Sequence, residues 1–270
     1  VHELSKLHLI AIGGFDPSGG SGILRDGLTA RALGSRFRLV GTAWAEQSAT
    51  HGVEAIDARP RLEVTKAISL ALNEAPNGLT AVKVGMVVNA ELVGAIATAL
   101  TGFRGPVVFD PVLGATAGGA LFDQAQQSLL EALRPLLSLS TVFTPNAQEA
   151  ALLCDSIVEA VEESVMAARF LVDQGSRAVV IKGGHLQTAH IADVLLNEGR
   201  LTTLTRPRVA GPNVRGTGCS YASSLALYLA GGASFEHACE AAQAHVADAI
   251  VRAVPVGSEW HLGHTLPSAA

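Results

Sequence analysis

The sequence predicts an α/β fold with a mostly parallel central sheet covered by helices on both faces. Three observations carry this. Short apolar runs alternate with helical stretches along the chain. Most of those runs end in glycine or a polar cluster, as strands do where they leave a sheet. Ala, Gly, Leu and Val dominate while aromatic residues make up 4%, which suits small-residue helices laid closely on a sheet. No internal repeat, low-complexity tract or composition break divides the 270 residues, about half of them hydrophobic, so one domain with a sizeable core is expected.

Leu7 to Ile12 is apolar, ends in glycines and reads as the first strand. The loop Gly13-Gly14-Phe15-Asp16-Pro17-Ser18-Gly19-Gly20-Ser21-Gly22 follows, then a helix from Ile23 to about Leu33 closed by Gly34. This loop fits neither the dinucleotide fingerprint, nor Walker A, nor the hydrolase elbow G-x-S-x-G. Its glycines let the backbone crowd a small ligand at the carboxyl end of a strand, where open α/β sheets bind. Asp26, one turn into the helix, can point back at that ligand; a solvated helix position is the plain alternative.

Phe37 to Ala43 reads as a strand leading into a polar loop, 46–52, where Gln47 offers an amide donor and acceptor to a heterocycle edge. A helix from Leu62 to Leu72, a strand from Thr80 to Met86 and a helix from Ala90 to Leu100 follow. Pro106 to Val112 is a strand whose end carries Asp110, a carboxylate costly there unless solvated or employed. A small-residue loop, Leu113 to Ala120, precedes a helix from about Asp123 to Leu133. The strand Ser140 to Thr144 runs into Pro145-Asn146-Ala147-Gln148-Glu149, a helix start explained equally well by plain capping. After a helix from Val161 to Gln174, Arg177 to His185 is a buried strand with a glycine exit. Ile191 to Leu196 and Leu201 to Thr205 form an antiparallel hairpin. The tail from Pro255 has no periodic pattern, and His261 and His264 read as surface residues.

Arg215-Gly216-Thr217-Gly218-Cys219 is a tight loop opening directly into a helix, Ser220 to Ala230, before a last helix from Phe235 to about Val251. Gly216 and Gly218 free the backbone, and the unpaired N–H groups of a helix start attract an anion. Cys219, in the first turn, is expected to have a lowered pKa in that field. An anion cradle beside a poised base suggests phosphoryl transfer to an alcohol; a glycine turn before a core helix with an inert Cys is the alternative. The polar residues at strand exits share one edge of a parallel sheet, so they are expected to converge on one cleft.

A net charge of −5 gives no electrostatic reason to expect nucleic acid or an anionic membrane as partner. No apolar run spans a bilayer, and the opening residues lack signal-peptide features. Three distant cysteines, 154, 219 and 239, argue against a disulfide framework or a Cys-type zinc site and point to a reducing cytoplasm.

Together, the stretch Gly14 to Ile23, Asp110-Pro111-Val112, Thr144 to Glu149, Lys182-Gly183-Gly184-His185 and Gly216-Thr217-Gly218-Cys219 resemble the hydroxymethylpyrimidine and hydroxymethylpyrimidine-phosphate kinases of thiamin synthesis. The resemblance implies a ribokinase-like three-layer sandwich, ATP and Mg2+, an aminopyrimidine substrate and a homodimer. By it, Gly14, Asp26 and Gln47 hold the pyrimidine. Lys182, Gly183, His185, Arg215 and Asn146 serve the nucleotide and its phosphates, and Asp110 and Glu149 the metal. Gly216, Thr217 and Gly218 form the anion hole, and Cys219 is the general base.

The chain departs from that pattern in three places. The Gln47 to Gly52 segment lacks the usual Gln-Asn-Thr and is one residue longer. The 113–120 loop lacks a family lysine. Arg215 replaces a common His and is expected to turn a substitute charge toward the phosphates. Two other readings stay open: a pyridoxal-type vitamin kinase of the same superfamily, and a pyrimidine-binding sensor.

Overall fold

The computed structural model describes residues 3–48, 52–114, 122, 128–185 and 190–264; for 46–48, 52–54 and 185 it describes the backbone alone. The amino-terminal half runs β1 (His8–Phe15), α1 (Gly22–Ala32), β2 (Arg36–Ser48), β3 (Gly52–Ala58), α2 (Arg61–Glu74), β4 (Thr80–Val84), α3 (Ala90–Ala99) and β5 (Val107–Phe109). Next come α4 (Leu129–Leu139), β6 (Val142–Phe143), α5 (Ala147–Cys154), α6 (Val161–Asp173), β7 (Ala178–Ile181), β8 (His190–Asn197) and β9 (Arg200–Pro207). The last part contains β10 (Val214–Arg215), α7 (Thr217–Ala230), α8 (Phe235–Val251), β11 (Val254–Val256) and β12 (Glu259–His261).

Nine strands form one sheet in the order β3-β2-β1-β4-β5-β6-β7-β8-β9. The strands from β2 through β7 are parallel to their neighbours, while β3 at one edge and β8 and β9 at the other are antiparallel. Alternation along β1 sorts the two faces. Ile10 and Ile12 point into a core closed by Val64, Ile68, Leu92, Ile96, Leu136 and Leu171, from α2, α3, α4 and α6. Leu9 and Ala11 point into a second core closed by Ala30, Ala222, Leu225, Ala226 and Ala242, from α1, α7 and α8. Three layers result, as the sequence predicts. The small residues of α7 let it lie close to the sheet.

Differences from the sequence reading are local. Residues 46–52 are not simply a polar loop, because β2 runs on to Ser48 and returns as β3; only 49–51 lie outside the described residues. The helix expected from Asp123 begins at Leu129, where the Ser128 side chain accepts from the Glu131 N–H, and it continues through Pro135 to Leu139; 123–127 lie outside the described residues. The patternless tail supplies β11 and β12, which join β10 in a small second sheet. Two- and three-residue strands have no period to read. His261 is buried beside Glu259 instead of exposed, and the ring of His264 stacks on His245 with centroids 5.4 Å apart.

Candidate active site

The carboxyl ends of the parallel strands meet the starts of α1 and α7 in one pocket. Single hydrogen bonds carry the ladder past the strands: Gly85 N–H donates to Ile12, Asp110 N–H to Val84, Thr144 N–H to Phe109, and Lys182 N–H to Pro145. These fix the backbone from which the polar side chains project. Gly14, Phe15, Ala45, Met86 and Val112 supply an apolar wall. A side chain at Gly14 would meet Met86 Cε at 2.6 Å, so a larger residue there would require the Met86 side chain to shift.

A buried row of alternating charges forms part of the pocket lining. Asp26 Oδ2 accepts from Lys83 Nζ at 3.0 Å; Lys83 Nζ lies 3.9 Å from Asp110 Oδ2; Asp110 Oδ1 accepts from Lys182 Nζ at 2.5 Å. Ser223 donates to the other oxygen of Asp26 at 2.9 Å, and Thr144 donates to Asp110 at 3.3 Å. Burial pushes the Asp26 carboxyl up, opposed by Lys83 and Ser223. Burial would raise Asp110 too, but the two ammoniums overcome it and hold that carboxyl below its usual range. Desolvation works against Lys83, yet Asp26, and after it Asp110, keep it charged. Asp26 is therefore a buried member of this row and not a solvated helix residue. Lys83 was not singled out from the sequence, although a lysine inside the apolar run Ala81 to Val84 was a signal available there.

Asp16 organises the glycine loop. Its Oδ1 accepts from the N–H and hydroxyl of Ser18, and its Oδ2 from the N–H and hydroxyl of Ser21. Arg215 then closes on it from β10, with Nη2 3.1 Å from Asp16 Oδ2 and Nη1 2.8 Å from Glu259 Oε2. Arg215 lines the pocket, where the sequence predicts that it offers its charge to phosphates. Two carboxylates already engage the guanidinium, and it staples the tail sheet to the glycine loop.

Gly216 turns the chain into α7 at φ 84°, a region that favours glycine, and a Cβ there would stand 2.3 Å from the Gly20 carbonyl. No side chain caps α7. The first intrahelical bond is Ser220 N–H to Gly216, so the Thr217, Gly218 and Cys219 N–H groups have no partner within the helix, and all three residues line the pocket. A Cβ on Gly218 would sit 3.4 Å from Lys182 Nζ, which places that ammonium over the first turn of α7. A helix start and a lysine thus face one space.

Cys219 is where the sequence reading goes wrong. Burial pushes its thiol up to about 11, not down; Lys83 and the Gly22 N–H oppose this while Asp26 and Asp110 add to it. Loss of water and two buried carboxylates outweigh the favourable end of the helix dipole.

Asn146 and Glu149 form a capping box: Asn146 Oδ1 accepts from the Glu149 N–H at 2.9 Å, and Glu149 Oε2 from the Asn146 N–H at 2.7 Å. Asn146 is thus the cap of α5, the plainer of its two readings. Burial first, and the nearby Asp110 charge, raise Glu149 to about 7 against the pull of Lys182. Both carboxylates line the pocket. Among the described residues no cluster of three or more His, Cys, Asp or Glu suited to a metal occurs. Two carboxylates suit magnesium, which keeps water and phosphate oxygens in most of its shell.

Gly183 does not serve a nucleotide through its N–H, which donates to Asp193 Oδ1 at 2.8 Å; a Cβ there would overlap the Ala192 carbonyl at 2.1 Å. The side chains of Gln47 and His185 and the loop 115–120 lie outside the described residues.

Asp193 also accepts from Gln243 Nε2 at 3.1 Å, and burial raises it to about 6. Its folded value lies above the ordinary ~3.9. The fold therefore favours the protonated acid, and the associated stability is complete below pH ~4 and lost as pH rises through about 6. Asp193→Asn should remove this dependence. Urea unfolding should show wild type losing stability relative to the variant between pH 4 and 6.5, and a constant difference above. A pH-independent difference would mean Asp193 titrates normally.

A family model described as phosphomethylpyrimidine kinase matches residues 16–264. The chain is 36% identical over 250 residues to the hydroxymethylpyrimidine/phosphomethylpyrimidine kinase of Streptomyces coelicolor, covering 92% of this chain and 90% of that protein. It is also 36% identical over 250 residues to the thiamine biosynthesis bifunctional protein ThiED of Geobacter sulfurreducens; this covers 92% of the chain but spans only 50% of that relative's length. Among solved structures, the pyridoxal kinase of Staphylococcus aureus in complex with AMP-PCP and pyridoxal superposes with a TM-score of 0.84 at 25% identity, over 96% of this chain and 94% of that one. The ribokinase-like three-layer arrangement is shared with it.

Proposed function

The chain belongs to the phosphomethylpyrimidine kinase family, and from that premise we propose that it transfers the γ-phosphoryl group of ATP to 4-amino-5-hydroxymethyl-2-methylpyrimidine, to its monophosphate, or to both. The observation that carries this reading is the convergence of the uncapped α7 start and the Lys182 ammonium on a pocket whose other side is apolar. The apolar wall of Gly14, Ala45, Met86 and Val112 receives the flat ring, with Asp26 beneath it and Gln47 on the strand beside it. For the alcohol substrate, the hydroxyl oxygen attacks the γ-phosphorus, the bond from that phosphorus to the β–γ bridging oxygen breaks, ADP leaves, and the hydroxyl proton passes to Cys219 in its thiolate form; for the monophosphate, a phosphate oxygen is the nucleophile and no hydroxyl proton is transferred. The Thr217, Gly218 and Cys219 N–H groups and Lys182 stabilise the charge on the transferring group.

Asp110 and Glu149 are the residues that would hold Mg2+, and the ion when bound neutralises phosphate charge. A proton held on Glu149 near neutral pH is one that a divalent cation would displace. The family also carries the proposal of a homodimer in a reducing cytoplasm. Among the described residues no helix is long and apolar enough to cross a membrane.

A pyridoxal-type activity is the second reading, favoured by the likeness to a structure described with pyridoxal bound. The test is ATP turnover by purified protein with magnesium on hydroxymethylpyrimidine, its monophosphate and pyridoxal. Turnover on either pyrimidine supports the proposal, and turnover on pyridoxal alone replaces its substrate. Tight pyrimidine binding without turnover would make the protein a sensor.

A further inference from the structure

Among the described residues, one buried cation behind the site makes no direct ion pair with a carboxylate. Arg25, on α1, is 3% exposed. Its Nη1 donates to the Leu262 carbonyl at 3.0 Å and its Nη2 to the Gly19 carbonyl at 2.8 Å. Nε is buried without a partner. Lys83 pairs with Asp26, Lys182 with Asp110, and Arg215 with Asp16 and Glu259. Among the described residues no carboxylate pairs with Arg25. A buried guanidinium whose hydrogen bonds go only to neutral carbonyls is costly to hold, even with the charges of Asp16 and Asp26 farther off, and such a position calls for a use of the charge.

The position of Arg25 says which anion. A Cβ on Gly216 would stand 2.9 Å from Arg25 Cγ and 3.2 Å from Cδ, so the stem of the side chain runs against the turn that aims the first N–H groups of α7. One carbonyl partner belongs to the glycine loop and the other to the residue after β12, which fixes the guanidinium from two sides. Burial lowers its pKa; Cys219, once ionised, would oppose this most, and Asp16 and Asp26 oppose it next.

We propose that Arg25 is a positioning residue for phosphoryl transfer, a fixed cation behind the Gly216 to Cys219 cradle that supplies from the rear the positive charge absent from the loop Leu113 to Ala120 and, at Arg215, paired with two carboxylates. The inference rests on the kinase reading above. Arg25 lines no part of the pocket and touches no substrate; it acts through the cradle's backbone and its field. That field acts most on charge developing during transfer, so its loss falls on kcat and little on KM.

The experiment compares Arg25→Gln, which keeps a donor without the charge, with Arg25→Lys, which keeps the charge without the fork. Arg25→Gln is expected to lose roughly 30-fold in kcat, below the ~10²–10³ of a direct oxyanion donor, with both KM values within about threefold. Arg25→Lys is expected to recover to within about fivefold of wild type. A Lys variant as slow as the Gln variant would make Arg25 a loop brace, and an unimpaired Gln variant would give it no role; either overturns the proposal. A second readout needs no turnover: protection of Cys219 from iodoacetamide by inorganic phosphate at pH 9, where the thiolate fraction is larger, followed by peptide mass. The half-protecting concentration should rise about tenfold in Arg25→Gln and stay near wild type in Arg25→Lys. Equal values in wild type and Arg25→Gln would overturn the proposal, whereas a wild-type enzyme that turns over no pyrimidine would defeat the kinase reading alone.

Discussion

Cys219→Ala is expected to lower kcat by about 10²–10⁴-fold, the usual contribution of a general base, while the KM values move little. Ala removes the sulfur without removing the N–H groups of the α7 start, so the cradle keeps its grip on phosphate. The pH profile adds a sharper test. With its thiol pushed up to about 11, the free protein holds Cys219 protonated at neutral pH. If the thiolate is the base, kcat/KM should rise about tenfold per pH unit from pH 7 to 9, because that parameter reports the free enzyme. Cys219→Ala should abolish this rise, and Cys219→Ser, with a far weaker acid in place, should not restore it. A profile flat from pH 7 to 9 in wild type, with a variant impaired only a few-fold, would show that the hydroxyl proton leaves by another route and that Cys219 shapes the pocket.

What the sequence discloses and what it hides divide along physical lines. Alternating apolar runs and glycine exits make the parallel strands and covering helices legible, because burial on two faces leaves a local imprint at each strand. The Gly216 loop is legible for the same reason: positive φ and an uncapped helix start are properties of adjacent residues. Partnerships across the chain leave no such imprint. Arg215 reads as a spare charge until Asp16 and Glu259, 199 and 44 positions away in sequence, are seen to hold it. The field of the α7 start is readable at Cys219, but the desolvation that outweighs it comes from tertiary packing. Asn146 and Glu149 show the reverse case. Their capping geometry is local, and the plain reading of that spacing describes their hydrogen bonds.

Lys83→Met should be the most destabilising of these changes. The ammonium is buried between Asp26 and Asp110, and Gly85 makes room for it, since a Cβ there would stand 2.7 Å from Lys83 Nζ. Removing one partner of a buried pair leaves the other charge uncompensated, which costs about 3–5 kcal/mol. For a chain of this size that corresponds to a fall in Tm of roughly 10 °C. Asp110 keeps Lys182, but Asp26 keeps only the Ser223 hydroxyl, so Asp26 is the group left stranded. The double variant Lys83→Met with Asp26→Asn should therefore be more stable than Lys83→Met alone, because the second change removes the orphaned charge. Urea unfolding of the three variants measures this coupling directly. Losses that simply add would mean that Asp26 and Lys83 do not act as a pair, and the alternating row in the pocket lining would lose its central link.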